Sequence, residues 1–216
     1  MDLGRFRTYV PRDMECTRPR VCKGRPREFD VDEALASALQ VFWSRGYEGT
    51  SLTDLTDAMG ITRPSLYAAF GNKEALFRKA LDLYEREKLA YVSEALTAPS
   101  SRQVAERLLR GALEMQTSQC EPRGCLRVIS SVTCGMEAES VRADLIARRA
   151  SSHRAICERM QRAKVDGDLP AEADVEGLCN YLIAILQGMS VQAGSGASKE
   201  QLETLVETSL AMWPGK

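Results

Sequence analysis

From Val31 to Leu210 apolar residues return every three or four positions, the period of a helix, and no alternating run competes as a strand. A chain patterned this way buries its stripes by packing helix on helix, so the expected class is all-α. Eight prolines set the phrasing. Pro11, Pro19 and Pro26 crowd the first 27 residues, whereas Pro64, Pro99, Pro122, Pro170 and Pro214 stand far apart and leave room for long helices.

At 216 residues the chain is long enough for one large domain or two small ones. It contains no run approaching the roughly 18 apolar residues of a membrane span and does not open with a secretory signal pattern, so no membrane partner is expected. Seven cysteines, an odd number, read as reduced thiols rather than a disulfide framework, and the expected setting is the cytoplasm. A lone histidine, His153, excludes multi-histidine metal sites within one chain. No metal or cofactor is expected.

The net charge of −1 argues against a generally basic nucleic-acid binder. The average conceals an asymmetry: residues 1–27 carry eight cations against three acids, whereas residues 81–216 carry 16 cations against 19 acids. A basic arm on a mildly acidic body points to an anionic partner for one end only.

Just past the arm, cap chemistry outlines a run of helices. Asp30, with Glu33 three residues on, opens the first, whose stripe is Val31, Ala34, Leu35, Ala38, Val41 and Phe42. Ser51 and Asp54 open a second, short one that stops at Gly60. Thr62 caps a third, with Pro64 tolerated in its first turn and Gly71 at its end. Asn72 caps a long fourth helix expected to run through Tyr91 and Val92. Further helices are expected near 101–119, 124–137, 139–165, 172–193 and 199–212.

Short helix, glycine turn, short helix is a helix-turn-helix pattern, in which the second helix presents its N-terminus outward. The residues that this helix leaves out of the core are Thr62, Arg63, Ser65 and Tyr67, hydrogen-bonding types with reach; an arginine there can grip guanine O6 and N7 together. Lys73 stands at the start of the fourth helix, where the helix dipole disfavours a cation. An anion bound there would reconcile the two, because free N–H groups and the lysine would share one phosphate.

The stretch from Thr50-Ser51-Leu52 through Met59-Gly60-Ile61-Thr62-Arg63-Pro64-Ser65-Leu66-Tyr67 to Phe70-Gly71-Asn72-Lys73-Glu74-Ala75-Leu76 resembles the TetR family of transcriptional regulators. Two positions depart from the family pattern: Thr56 stands where alanine is usual, and Ala69 where histidine or tyrosine is frequent. The resemblance implies a basic arm (1–27), a helix-turn-helix DNA-binding domain (28–75) and a helical ligand-binding and dimerisation domain (76–216). It implies a homodimeric repressor, bound to a palindromic double-stranded operator and released by a small-molecule effector. Thr50, Ser51, Tyr67 and Lys73 would hold phosphates, and Thr62, Arg63, Pro64 and Ser65 would face base edges. Lys23, Arg25 and Arg27 in the arm would follow a minor groove.

Two apolar faces near the C-terminus, Leu178, Tyr181, Leu182, Ile185 and Met189 with Leu202, Leu205 and Val206, suit either a four-helix dimer interface or an intramolecular core, and the resemblance favours the interface. Met115, Cys125, Ile129, Val132, Met136 and Ile156 are candidate wall residues of a ligand pocket. Cys125 beside Arg123 at a helix start, with Cys120 five residues earlier, raises the alternative of a thiol- or metal-responsive regulator. His153 and Cys157, one helical turn apart, share a spacing that can hold a metal. A thiol-dependent enzyme and a structural DNA-binding dimer without ligand are the remaining alternatives. Against the enzyme, the chain lacks Cys-x-x-Cys, Gly-x-Ser-x-Gly and phosphate-loop motifs.

Overall fold

The computed structural model describes residues 29–133 and 138–215, with only the backbone of Val132 and Thr133. Among these residues there is no strand. The helices are α1 (Val31–Arg45), α2 (Leu52–Met59), α3 (Arg63–Phe70), α4 (Lys73–Lys88), α5 (Ala90–Leu96), α6 (Ser101–Gln116), α7 (Leu126–Thr133), α8 (Glu139–Val165), α9 (Val175–Gly194) and α10 (Lys199–Ala211).

The N-terminal helices start where the cap residues place them. The Asp30 carboxylate accepts from the amides of Asp32 (2.8 Å) and Glu33 (3.2 Å). Ser51 and Asp54 form a reciprocal capping box. Thr62 accepts from Ser65 N, and Asn72 accepts from Ala75 N at 2.7 Å. Gly60 closes α2 in the left-handed region, at φ 63° and ψ 30°, a conformation glycine adopts without steric cost.

The fourth helix is shorter than its periodicity suggests. It stops at Lys88, Leu89 takes φ −105° and ψ 10°, and Tyr91 and Val92 belong to α5. The break falls where the chain passes between two cores. The first gathers Phe42, Trp43, Leu55, Leu66, Phe77 and Tyr84 from α1–α4, and it also takes in Cys125 and Leu126 at the start of α7 and Val141 and Leu145 of α8. The second is built from α6, α8, α9 and α10 around Leu108, Met160, Leu182, Leu202 and Val206. Leu89 packs on the first and Tyr91 on the second.

Two ties bind α1 to the segment before α7. Trp43 Nε1 donates to the Gly124 carbonyl at 3.0 Å in a buried bond. Glu121 accepts from Gln40 at 2.7 Å and from Lys88 at 2.6 Å. Cys125 N donates to Ser190 Oγ of α9 at 2.7 Å, so this segment bridges α1 and α9.

Candidate nucleic-acid interface and effector cavity

Leu66 and Phe70 anchor α3 in the first core, and its opposite side faces solvent. Thr62, Arg63, Pro64 and Tyr67 are exposed and Ser65 half-buried, so these five expected contacts converge on one outward N-terminus. Arg63 folds back over α2, where Nη2 donates to Thr53 Oγ1 at 2.8 Å. Ser51 is exposed at the N-cap of α2. Asp54, which accepts from the Ser51 hydroxyl and amide and pairs with Arg45, is held down to about pKa 2 by those partners in that order.

Thr50 is placed differently from expectation. It is fully buried and its hydroxyl donates to the Gly46 carbonyl at 2.7 Å, so its side chain braces the α1–α2 turn instead of facing solvent. The atypical Thr56 is accommodated without an orphaned hydroxyl, which donates to the Leu52 and Thr53 carbonyls at 3.0 and 3.1 Å. Lys73 sits at the first turn of α4 with Nζ 4.4 Å from the centre of the Tyr47 ring. That aromatic face offsets the cation's unfavourable place on the helix dipole. Tyr47 escaped the sequence reading because nothing local connects residue 47 to residue 73. Lys23, Arg25 and Arg27 lie outside the described residues.

Behind this surface, a cavity of about 800 Å³ opens between α4, α5, α6, α7, α8 and α9. Met115, Cys125 and Ile156 are among its lining residues. Ile129 packs on the first core instead. Met136 and the side chain of Val132 lie outside the described residues. Gln116, 3% exposed, also lines the cavity, and its Oε1 has no hydrogen-bond partner among the described residues. Tyr84 and Tyr91 approach Cys125, and burial first, then that thiol, raises both phenols well above their ordinary range, so both remain neutral donors. Cys120 is exposed, and both it and Cys125 are free thiols.

His153 lines the same cavity, with Nε2 3.0 Å from Asn180 Oδ1 and Nδ1 3.6 Å from Cys157 Sγ. Among the described residues no group of three or more His, Cys, Asp or Glu side chains is arranged to hold a metal. No helix among them is long and apolar enough to cross a membrane.

Leu182, Met189, Leu202 and Val206 are fully buried within the single chain. They fill the second core, because α9 turns this side onto α6 and α10, and they have no surface left for a partner. Leu178, Tyr181, Ile185 and Leu205 are half-buried and retain accessible surface.

The family description "Bacterial regulatory proteins, tetR family" matches residues 34–80, the span of α1–α3 and the first half of α4. "Tetracyclin repressor-like, C-terminal domain" matches residues 105–208. The HTH-type transcriptional repressor ComR of Escherichia coli is 36% identical over 195 residues, 89% of this chain and 92% of ComR. The chain belongs to the TetR family of transcriptional regulators. As a TetR-family protein it is a DNA-binding transcriptional regulator and not an enzyme. A second relative, the HTH-type regulator YezE of Bacillus subtilis, is 32% identical over 192 residues, 88% of this chain and 98% of YezE. Among solved TetR-family structures, a cysteine-substituted variant of the regulator CifR, complexed with 26-bp double-strand operator DNA, superimposes with a TM-score of 0.83. It is 48% identical, and the match covers 88% of this chain and 100% of that one.

Proposed function

We propose that this TetR-family protein is a homodimeric repressor that grips a palindromic operator with α3 and the N-terminus of α4 from each protomer, and lets go when a small molecule fills the cavity. The carrying observation is the outward N-terminus of α3, where Thr62, Arg63, Pro64 and Tyr67 are exposed on a helix locked by Leu66 and Phe70. Two such helices set about 34–36 Å apart enter successive major grooves. Lys73 and Ser51 flank the reading helix at helix N-termini suited to phosphate, and Lys23, Arg25 and Arg27 extend the contact into a minor groove. Leu178, Tyr181, Ile185 and Leu205 supply the dimer face. A tenfold loss of operator affinity needs about 1.4 kcal/mol of coupling between cavity and reading helix.

The test is operator selection from random duplexes, followed by titration of two variants at several salt concentrations. Arg63→Ala should relax preference at one base position, whereas Lys73→Ala should weaken binding to every sequence and flatten the salt slope by about one unit. Wild-type behaviour of both variants would remove the assigned surface. A second reading, a thiol-responsive regulator, is favoured by the place of Cys125 on the cavity wall. It requires that alkylation lower operator affinity and that Cys125→Ser abolish the response.

A further inference from the structure

One ion cluster at the cavity is built unlike a surface salt bridge. Glu85 of α4 lies between two arginines of the cavity wall: Oε1 is 3.2 Å from Arg127 Nη1 of α7, and Oε2 is 2.8 Å from Arg148 Nη1 of α8. All three line the cavity, and their side chains are only 21–29% exposed. The arginines are unequally supplied. Arg148 has two further carboxylates, Asp144 at 3.1 Å and Asp82 at 2.7 Å, neither of which lines the cavity. Arg127 has Glu85 and otherwise the neutral hydroxyl of Ser152, at 3.2 Å from both terminal nitrogens. Among the described lining residues four are arginines, Arg86, Arg127, Arg148 and Arg149, and one is an acid, Glu85. The remaining lining is largely apolar, with Leu89, Val92, Leu96, Leu108, Ile156 and Ile183.

We propose that the cavity takes an anionic amphiphile, an apolar chain ending in a carboxylate, whose headgroup displaces Glu85 from Arg127. The inference rests on the reading of this cavity as the effector site and names the class of effector. A carboxylate is the group that the two guanidinium groups already hold in Glu85, one nitrogen to each oxygen, and charge-assisted bonds of this kind are strong in a partly desolvated site. Arg127 is the principal anchor because the departure of Glu85 leaves it without a carboxylate among the described residues, whereas Arg148 keeps Asp82 and Asp144. The apolar lining receives the chain, and a volume of this size holds a drug-sized ligand. Glu85 also makes binding consequential. It belongs to α4, whose first turn carries Lys73, so a ligand that evicts it removes the clamp between α4 and α7 and leaves α4 tied to α8 through Asp82 alone of this cluster.

The experiment uses the full chain with three probes of one chain length, decanoate, 1-decanol and decylamine, followed by calorimetry and by anisotropy of a labelled operator. Decanoate should bind at least about tenfold tighter than decanol and release the operator, and decylamine should bind weakest. Arg127→Gln should remove the preference for decanoate while leaving decanol binding unchanged. Glu85→Gln, which deletes the competitor, should strengthen decanoate binding several-fold, a gain of function that misfolding does not mimic. Equal binding of decanoate and decanol, an indifferent Arg127→Gln, or decanoate binding without operator release would each overturn the proposal. If the cavity-filling variant Ala112→Phe binds decanoate as well as wild type does, the cavity is not the effector site and the underlying reading fails with it. If no probe binds, the anionic class is wrong, and release of the operator by any other ligand that Ala112→Phe blocks would leave the effector site standing.

Discussion

The indole of Trp43 donates to the carbonyl of Gly124 at 3.0 Å, joining residues 81 positions apart in a buried bond between α1 and the approach to α7. Trp43 is fully buried, with its ring edge-on to Tyr84 at 4.9 Å between centroids. Trp43→Phe keeps an aromatic ring there and leaves the carbonyl unpaired. It should cost about 1–3 kcal/mol in urea unfolding. A loss within error would mean that water or a shifted backbone replaces the indole.

Asp54 makes α2 acid-sensitive. Its folded carboxyl titrates at about 2, below its ordinary 3.8, so the fold favours the charged form. That contribution is complete above the ordinary value and disappears as pH falls through the folded one. The melting temperatures of wild type and Asp54→Asn should therefore differ by a constant amount near neutrality and converge below about pH 4. A gap unchanged down to pH 2 would contradict the assignment.

Gly111 is required by a ring. A Cβ at this position would fall 2.3 Å from Tyr91 Cδ2 and 2.8 Å from Cε2, with Tyr91 held by the second core and the cavity. Gly111→Ala should destabilise by about 1–3 kcal/mol, and adding Tyr91→Leu should recover part of it in a double-mutant cycle. Additive losses would show that the contact is not the cause.

If α9 forms the proposed dimer face, its half-buried residues separate assembly from folding. Tyr181→Asp and Ile185→Asp should yield folded monomers by light scattering with unchanged helical circular dichroism. Leu182→Asp, one position away and fully buried, should unfold the protomer, since it forces a charge into a packed core. Persistent dimers in both surface variants would move the interface elsewhere.

The N-terminal helices were legible because their signals are local. Asp30, Ser51, Thr62 and Asn72 cap helices within three residues of themselves, and Gly60 supplies its own turn. The break at Leu89 carries no glycine or proline; it is imposed by the passage between two cores and leaves no mark in the periodicity. Helical spacing likewise marked the face shared by Leu182 and Ile185, but only the packing of α9 decides that the first is sealed inside and the second is not. The Glu85–Arg127–Arg148 cluster draws one residue from each of three helices, so no window of sequence contains it.

The first core does not end where the recognition helices end. Cys125, Leu126, Val141 and Leu145 close it from the far side of the chain. The reading head is therefore not an interchangeable cartridge. A chimera spliced after α4 would carry away an open hydrophobic floor, and one meant to exchange the N-terminal helices should transplant α7 and the opening of α8 together with α1–α4. On the proposed function, the same seam gives substitutions at Leu126, which is fully buried and does not line the cavity, a route to altered induction.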